Sequence, residues 1–449
     1  MKLKKLVALL LCAAVMLPLA ACVKKPGGSE NSSDTSSSES TAVTPAKDKD
    51  TSIVATDKSR KGPAVQDLMK GITKGKGVSK KPDSRFENAA ASFALDLFRD
   101  EYKSGRKTLV SPLSVFTALA MTQNGAEDRT LSEMQKTLGG LDRDVLNAYM
   151  NAYLAELTGK DSALKCANSI WVDSKLDVKR AFLQKNADFY SAQAYKADFT
   201  STRTVKEINS WVSKNTNGMI KKLADQFDPL TVMVLMNALC LEAEWDDPYT
   251  DNCVREGTFK NAKGNLVKAE YMYSQETEYI ETENATGFVK YYKGGKFAFV
   301  ALLPNEGTSI DSYIASLTGK GFLGALNSRK NTQVNTQMPK FKCEYSNSLV
   351  DTLKKMGMST AFDRDRANFS SMATLKNENI YISDVIHKTF IEVAEKGTRA
   401  GAVTAVIKEA SAAMPVEQPK EVRLTRPFVY AIIDTRTNLP LFIGAQTDI

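Results

Sequence analysis

The sequence predicts a mixed α/β (α+β) fold in one large domain. Three observations predict it. Residues 84–103 carry apolar side chains at helical spacing, residues 231–245 form a near-continuous apolar run of strand length, and residues 254–303 alternate in polarity between Gly and Asn turns. The first pattern is typical of an amphipathic helix, the second of a strand covered on both faces, and the third of an antiparallel sheet.

The chain begins with the pattern of a secretory signal peptide. Lys2, Lys4 and Lys5 precede an apolar run over residues 6–19, and small residues then end at Cys22. This is the pattern of a bacterial lipobox, which predicts a signal peptide over residues 1–21 and a lipidated N-terminus at Cys22. We therefore expect export and lipid anchoring to the outer face of a bacterial envelope. A cleaved signal with a chance cysteine is the alternative. A transmembrane helix is less favoured than either, because the apolar run is shorter than the ~20 residues that span a bilayer.

Residues 22–82 differ in composition from the rest of the chain. They are rich in Ser, Thr, Gly, Lys and Asp and contain almost no aromatic residues. Such a segment buries too little apolar surface to offset its conformational entropy, which predicts a flexible linker before the folded domain of residues 83–449. Residues 64–72 are more apolar, so docking of that stretch on the domain is left open.

The folded domain begins with two predicted helices. The first covers residues 84–103, and after a short strand Ser111 and Pro112 open the second, which ends near Asn124 and Gly125. Serine is a common N-cap, proline suits the first helical position, and Gly or Asn often follows a helix. Further predicted elements are strands at 166–172, 231–245, 288–292, 297–303 and 428–434 and helices at 180–190, 205–214 and from 348.

Composition excludes several classes of function. The formal charge of +8 falls to +5 once the three lysines of the signal peptide are removed, and no basic run is interleaved with aromatic residues, so no nucleic acid partner is expected. No HExxH, GxSxG or phosphate-loop motif is present. The remaining cysteines have no CxxC spacing, which favours thiols over a disulfide framework or a metal site: Cys166, Cys240, Cys253 and Cys343. We expect no metal and no cofactor.

His387 is the only histidine, so a Ser-His or Cys-His hydrolase would depend on it. Alternation along residues 386–391 places His387 and Thr389 on one face of a strand and Lys388 and Phe390 on the other. A buried, hydrogen-bonded histidine without a catalytic role is the expectation. A cell-surface hydrolase that uses His387 is the enzymatic alternative.

The two halves of residues 395–426 have different expected structures. The first half, residues 397–407, contains no proline, whereas Pro415 and Pro419 in the second half exclude a central strand. A period of two aligns small or β-branched residues on one face of the first half, namely Thr398, Ala400, Ala402, Thr404 and Val406. The only charge of the first half, Arg399, falls on the opposite face. The first half could therefore enter a sheet, and the second half is predicted to be an exposed loop.

Several blocks of the chain resemble the serpin family. Residues 380–403 (IYISDVIHKTFIEVAEKGTRAGAV) and 426–446 (RPFVYAIIDTRTNLPLFIGAQ) are similar to the hinge, reactive-centre loop and C-terminal strands of a serpin. Residues 111–130 (SPLSVFTALAMTQNGAEDRT) resemble the helix B region. The resemblance extends through residues 208–223, 234–249 and 337–363, and so runs from about residue 85 to 449 in the order of the family.

The resemblance implies a serpin fold with a large central sheet, additional antiparallel sheets, about eight to nine helices and an exposed reactive-centre loop over about residues 395–426. It implies a hinge at Glu395, Gly397, Thr398, Ala400 and Ala402. It implies a polar shutter network beneath the opening sheet at Ser111, Ser114, Asn237 and His387, and a breach tryptophan at Trp245. The chain departs from the family at Glu242 and Ala243, where many members have a basic residue and glycine, and at Arg399, where an acidic residue is usual.

The function that the resemblance implies is suicide inhibition of a serine protease. The protease would cleave the loop and form an acyl-enzyme, and the freed strand would enter the main sheet, giving a covalent 1:1 complex without turnover. A monomer is expected. The small hinge residues favour this activity, because a charge or proline at Thr398 would hinder entry into the sheet. A non-inhibitory serpin acting as a surface binding or chaperone-like protein is the alternative.

The family spacing counted from Glu395 places the scissile bond between Ser411 and Ala412, with Ala410 and Ala413 as alternates. A count back from the C-terminal side gives a later position near Val416. We favour the first count, since the distance from hinge to bond is fixed by the depth of insertion. Small residues at the bond suit an elastase- or subtilisin-like protease, and a papain-like cysteine protease is a further candidate target.

Overall fold

The computed structural model describes residues 65–159, 162–376, 378–398 and 418–449. For residues 237 and 238 it describes the backbone and not the side chains. The predicted signal peptide, Cys22 and the loop residues 399–417 therefore lie outside the described ranges. No helix in those ranges is both long and apolar enough to cross a membrane.

The predicted helices form at the expected places. The first begins after Asp83, whose carboxylate accepts hydrogen bonds from the N–H groups of Arg85 and Phe86 at 3.0 and 3.3 Å, an N-cap that satisfies otherwise unpaired donors. The helices of the described ranges are α1 (Ser84–Glu101), α2 (Pro112–Thr122), α3 (Asp128–Thr137), α4 (Arg143–Leu157), α5 (Arg180–Tyr190), α6 (Thr202–Asn215), α7 (Ile310–Ser316), α8 (Gly319–Asn327) and α9 (Val350–Lys355). Three 3-10 helices lie at Gln123–Gly125, Asp251–Cys253 and Thr360–Phe362.

Some strands alternate in burial with a period of two, and others, such as residues 297–304 and 428–434, are buried throughout. In residues 386–394, for example, His387, Thr389, Ile391 and Val393 are buried while their neighbours are partly exposed. The strands are β1 (Val65–Asp67), β2 (Thr108–Val110), β3 (Leu164–Asp173), β4 (Asp177–Val178), β5 (Gln193–Ala197), β6 (Met233–Leu241), β7 (Ala243–Glu244), β8 (Val254–Lys260), β9 (Leu266–Glu281), β10 (Ala285–Tyr291), β11 (Phe297–Pro304), β12 (Lys330–Pro339), β13 (Phe341–Ser348), β14 (Ala373–Thr374), β15 (Ile386–Ala394), β16 (Gly397–Thr398), β17 (Lys420–Arg423), β18 (Phe428–Asp434) and β19 (Pro440–Gln446).

The main layer consists of two four-stranded sheets. One has the order β1-β5-β3-β6 and the other the order β13-β15-β16-β7. They join because β7 follows β6 along the chain with one residue, Glu242, between them, and because Val234 and Asp384 form an isolated parallel bridge. The two halves thus meet along the line between β6 and β15.

A second, larger sheet lies against this layer. Its order is β17-β12-β9-β10-β11-β18-β19-β2, and β8 pairs with residues 266–272 of β9. Helix α2 is buried along its whole length and contacts β6 of the first layer and β19 of the second. A helix that is apolar on all sides belongs in the interior, so α2 is the central spacer of the core.

Residues 65–82, which the sequence assigns to the linker, are packed on the domain. β1 pairs antiparallel with β5 and covers that edge of the main layer. Beyond it, Leu68, Met69 and Ile72 are partly buried against the core. The structured part of the chain therefore starts at least 18 residues before position 83, at residue 65.

Candidate functional site

Gly397 and Thr398 of the implied hinge form a short strand, β16, between β15 and β7. Thr398 pairs with Val393 of β15 on one side and with Ala243 of β7 on the other. Both pairings are antiparallel. Since β15 and β7 run in the same direction, the described chain ends at Thr398 while pointing back along the line between them.

Gly397 is required by the close approach of these strands. Its φ is +149°, a conformation that side chains disfavour. A Cβ on Gly397 would lie 2.1 Å from the carbonyl oxygen of Ala243 and 2.8 Å from Cα of Glu244. Only glycine allows the hinge strand to lie this close to β7.

Trp245 lies directly behind the hinge strand. Its ring is 1% exposed and stacks on Tyr292 with ring centroids 4.4 Å apart. Its indole N–H donates to the carbonyl of Ala394 at 2.9 Å, and its backbone N–H donates to the carbonyl of Lys396 at 3.0 Å. Tyr292 in turn forms a hydrogen bond with the hydroxyl of Thr398. The tryptophan therefore holds both ends of the turn from β15 into β16.

Charged side chains also contact the turn that leads from β15 into β16. The carboxylate of Glu395 accepts from Lys340 Nζ at 2.8 Å, and the same ammonium contacts Glu270 at 2.8 Å. Burial raises the pKa of Glu395, but the hydrogen bond from Lys340, a backbone hydrogen bond and the charges of Lys340 and Lys396 together hold the pKa below its ordinary value. Glu395 is therefore a charged anchor at the start of the hinge.

An ion pair with a fully buried lysine lies beneath Trp245. Lys290 is 2% exposed, and its ammonium is 2.7 Å from Glu276 and 4.5 Å from the ring centre of Tyr249. Tyr249 is itself tied to the hinge, because its backbone N–H donates to the carbonyl of Glu395 at 2.9 Å. Lys290, Glu276 and Tyr292 are not singled out by strand alternation in the sequence. Their contacts join segments that are far apart in the sequence, with Glu276 on β9, Lys290 on β10 and Tyr292 directly after β10.

Below the hinge, β6 and β15 face each other without a ladder. In the described ranges their one pairing is the bridge between Val234 and Asp384. A cavity of about 370 Å³ lies at that end, lined by residues that include Leu230, Tyr381 and Asp384. The two halves are thus bracketed by the hinge strand at one end and by a single bridge at the other.

The strands on the two sides of this line have the same relative register at the hinge and at the bridge. Thr398 brings Ala243 level with Val393, an offset of 150 residues (393 − 243), and the bridge of Val234 with Asp384 has the same offset (384 − 234). A strand could therefore enter between β6 and β15 by sideways separation, with no sliding of one strand along the other.

His387 lies beside this line and is 4% exposed. The backbone N–H of Ser111 donates to His387 Nε2 at 3.1 Å, so Nε2 carries no proton and the ring is neutral. Burial lowers the pKa of His387 to about 4, with a smaller opposing effect of Glu101. The nearby hydroxyl of Thr389 donates to the carbonyl of Leu109 at 2.8 Å. The ring acts as a hydrogen-bond acceptor under the sheet.

The other implied shutter residues are placed as follows. Ser111 stands at the N-cap position of α2, but its hydroxyl does not cap the helix as the sequence predicts. It donates instead to the carbonyl of Leu441 at 2.9 Å, because the helix start is packed against β19. Ser114 is buried on α2. Asn237 lies on β6 opposite Asn168, and its side chain is outside the described set.

The implied reactive bond is not described. Ala400 and Ala402 of the hinge, Ser411 and Ala412 of the bond, and the alternates Ala410 and Ala413 all lie within residues 399–417, outside the described ranges. The described ranges contain no cluster of three or more His, Cys, Asp or Glu side chains placed to hold a metal ion. Cys240 and Cys343 are buried, and all four cysteines of the domain are thiols.

Comparison with known proteins identifies the family. A family model described as Serpin (serine protease inhibitor) matches residues 88–449. An uncharacterized serpin-like protein of Thermococcus kodakarensis is 31% identical, covering 80% of this chain and 84% of that protein. Serpin B6 of Pongo abelii is also 31% identical, covering 79% of this chain and 97% of that protein.

Solved structures agree. The thermophilic serpin tengpin in its native state matches with a TM-score of 0.82 at 42% identity, covering 86% of this chain and all of that one. Tengpin in its latent state matches with a TM-score of 0.73 at 39% identity, covering 83% of this chain and all of that one. The mixed α/β architecture and the large sheets described above are those of a serpin fold. This chain belongs to the serpin family.

Proposed function

We propose that this serpin inhibits serine proteases of the elastase or subtilisin type by a suicide mechanism. The observation that carries the proposal is the position of β16. Its chain direction leads into the line between β6 and β15, where the facing strands share one register and lack a ladder.

Continuing the two ladders of β16 gives the depth of insertion. Ile407 would come between Val234 and Asp384, the residues that now bridge the two halves. The inserted stretch from Thr398 to Ile407 would be about 30 Å long at the usual rise of a strand. Four residues further, Ser411 would come level with Leu230, at the cavity of about 370 Å³. The opening therefore fits a scissile bond near Ser411.

In the same register Thr404 would come level with Asn237 and His387. Thr398, Ala400, Ala402 and Thr404 would share the inner face of the sheet, and all four are small enough for a covered position. Since Nε2 of His387 already accepts from Ser111, the Nδ1–H of the neutral ring would be the group available to donate a hydrogen bond to an entering hydroxyl. The shutter residues would act by exchanging hydrogen bonds, with no catalytic step of their own.

The covalent step is ordinary acyl transfer carried out by the target. The hydroxyl of the protease serine attacks the carbonyl of Ser411, the bond to Ala412 breaks, and the new amine of Ala412 leaves with a proton. The ester to Ser411 then remains while the freed strand inserts. Insertion removes the hinge side of the loop from solvent and carries the attached protease with it, before water can cleave the ester.

We further propose that the domain is exported and held at the outer face of the envelope by lipid on Cys22, and that it acts as a monomer. The lipobox pattern and the polar linker of residues 22–64 support this placement. A diacylated cysteine supplies two chains, which give stable anchoring where one chain gives marginal binding.

The test of inhibition uses the mature chain with Cys22→Ser, so that it is soluble without lipid. It is incubated with elastase-, subtilisin- and trypsin-type proteases and analysed on a denaturing gel with mass spectrometry of the released peptide. A band at the summed mass with a cut between Ala410 and Ala413 is the expected result. If these proteases cleave the loop and none of them gives such a band, the result would contradict the proposal and favour a non-inhibitory serpin.

A further inference from the structure

The segment before α1 holds a row of lysines in a fixed position on the domain surface. We define the strap as residues 68–83. It contains five lysines and one aspartate, a formal charge of +4. Lys70, Lys74, Lys76 and Lys81 are exposed, and Lys80 is partly buried. Within the described ranges, the ammonium groups of Lys70, Lys76 and Lys81 form no ion pair.

The backbone of the strap is bound to the domain along its length. Leu68 N–H donates to the carbonyl of Ala194 at 2.9 Å, and Lys80 N–H donates to the carbonyl of Ala148 at 2.9 Å. In the middle, Gly75 N–H donates to the carboxylate of Asp188 at 2.6 Å. Further side chains of α4 and α5 donate to strap carbonyls, with Arg180 to Gly71, Gln184 to Thr73, and Asn151 to Gly77 and Val78.

Glycine makes this close attachment fit. A Cβ on Gly75 would lie 3.1 Å from Asp188 Oδ1, and one on Gly77 would lie 3.2 Å from the carbonyl oxygen of Asp188. These contacts are tight, so larger residues would push the strap away from α5. Lys70, Lys76 and Lys81 are exposed beside this bound backbone, whereas Lys74 Nζ donates to the hydroxyl of Ser191 at 2.8 Å and Lys80 Nζ lies 3.4 Å from the carboxylate of Asp83.

An exposed apolar side chain interrupts the lysine row. Val78 is 72% exposed and lies between Lys76 and Lys81 in the sequence. It is one of three large apolar side chains in the described ranges that are more than 60% exposed, and the other two are Leu230 and Leu266. A soluble polyanion gains nothing from an exposed valine. A lipid surface binds both the cations, through its anionic headgroups, and the apolar side chain, in its interfacial layer.

We propose that the strap is a docking surface for an anionic phospholipid membrane. The occupant is also indicated by the chain itself, since residues 22–64, which begin at the lipobox cysteine, enter the domain directly before the strap. This part of the argument rests on the lipid anchoring proposed above. With two acyl chains supplying the anchoring, the strap would set which face of the domain lies on the membrane.

The test measures binding of the unlipidated mature chain, Cys22→Ser, to vesicles by flotation. Vesicles of phosphatidylcholine alone are compared with vesicles that also contain phosphatidylglycerol. We expect binding only to the anionic vesicles, and its loss when the ionic strength is raised from about 0.1 M to about 1 M, where the screening length falls from about 10 to about 3 Å.

The variants separate the strap from charge elsewhere. The triple variant Lys70→Gln, Lys76→Gln, Lys81→Gln should bind about 100-fold more weakly, since each lysine near an anionic surface contributes roughly fivefold. Val78→Ser should bind about tenfold more weakly. The matched control is Lys263→Gln, Lys268→Gln, Lys320→Gln, which removes three exposed lysines from the β8–β9 hairpin and α8 and should bind as the parent does.

Three results would overturn the proposal: no binding of the parent to anionic vesicles, equal binding of the strap and control variants, or lysine-dependent binding to soluble polyphosphate without vesicle binding. Each variant is also assayed for the covalent protease complex in solution without vesicles. If neither the parent nor any variant forms the covalent complex while the parent still binds vesicles, the result would contradict the inhibitory function but not the docking surface.

Discussion

Thr398 is paired with Ala243 across an antiparallel ladder, so the hinge of the reactive-centre loop already forms the first step of a strand in the main layer. Gly397 makes this pairing sterically feasible, since a Cβ there would lie 2.1 Å from the carbonyl oxygen of Ala243. The proposed inhibitory mechanism depends on rapid extension of this strand.

Gly397→Ala should expel the hinge strand from between β7 and β15. The added methyl group overlaps the backbone of β7, and φ of +149° disfavours any side chain. We expect cleaved product in place of most of the covalent complex, measured as the ratio of the two bands on a denaturing gel. The control is Gly324→Ala on α8, where a Cβ would meet no atom within 4 Å. Equal ratios for the two variants would contradict this account of Gly397.

Thr398→Glu should abolish most inhibition. Thr398 is 3% exposed and its hydroxyl bonds to Tyr292, so the glutamate would bury a charge without a partner. Such burial costs several kcal/mol, enough to slow insertion far below deacylation of the protease. Thr398→Ser keeps the hydroxyl and should inhibit like the parent. The measurement is the number of inhibitor molecules cleaved per protease trapped, and a low value for the glutamate variant would refute the prediction.

Arg399 should form a charge contact with acidic residues of both facing strands after insertion. Continuing the two ladders places it level with Glu242 on one side and Glu392 on the other. At present Glu242 accepts from the amide of Asn217 at 2.9 Å, and Glu392 is 2.7 Å from Lys342. This explains two departures from the family at once, because Arg399 and Glu242 reverse the usual charges at both positions.

The test of Arg399 is a charge-reversal cycle. Arg399→Glu should lower the rise in thermal midpoint that follows loop cleavage, because the inserted strand would bring like charges together. Adding Glu242→Lys should restore part of that rise, by the 0.2–1 kcal/mol or so typical of cross-strand charge pairs. Additive effects of the two substitutions would show that Arg399 and Glu242 do not meet.

His387 should make the domain sensitive to mild acid. Its pKa is about 4 in the folded protein against an ordinary value of 6.5, so between these values the unfolded chain binds the extra proton. Stability from His387 is then complete above about pH 6.5 and is lost as the pH falls toward about 4, on the order of 3 kcal/mol in total. Protonation would also break the hydrogen bond from Ser111 to Nε2.

The pH prediction is measured as the thermal midpoint between about pH 4.5 and 7 at one scan rate, for the parent and for His387→Gln. The thermal midpoint of the variant should fall less steeply with decreasing pH than that of the parent. No other histidine contributes, because the chain has only one. Glu87, whose pKa burial raises, contributes with the opposite sign and is equal in both proteins. Parallel curves for parent and variant would show that His387 is not buried as a neutral ring.

Much of the fold could be predicted from the sequence because its elements have strong local signals. The helix over residues 84–101 follows from its helical periodicity, and the strand at residues 428–434 is a short, almost wholly apolar run that is buried on both faces. The apolar run 231–245 was expected to be one strand, but Glu242 separates β6 from β7, at the point where the chain changes partners from β3 to β16. Local pattern carries no information about such a change of partner.

The site was less predictable, because it depends on which strands are neighbours. The buried Lys290 looks like a surface residue of an alternating strand, and only the fold brings Glu276 within 2.7 Å of it. Ser111 was expected to cap α2, whereas tertiary packing directs its hydroxyl to Leu441. Residues 65–82 were assigned to the linker on composition, yet backbone hydrogen bonds, which composition does not report, attach them to the domain.

Insertion of the cleaved loop is tested most directly by hydrogen exchange of the intact and the loop-cleaved protein, followed by peptide mass spectrometry. In the described part of the native chain β6 and β15 share no ladder, so their backbone amides should become strongly protected after cleavage, together with residues 399–407. Protection should appear in both facing strands at once, because the entering strand pairs with each. Unchanged exchange in β6 and β15 after complete cleavage would contradict insertion and the inhibitory mechanism with it.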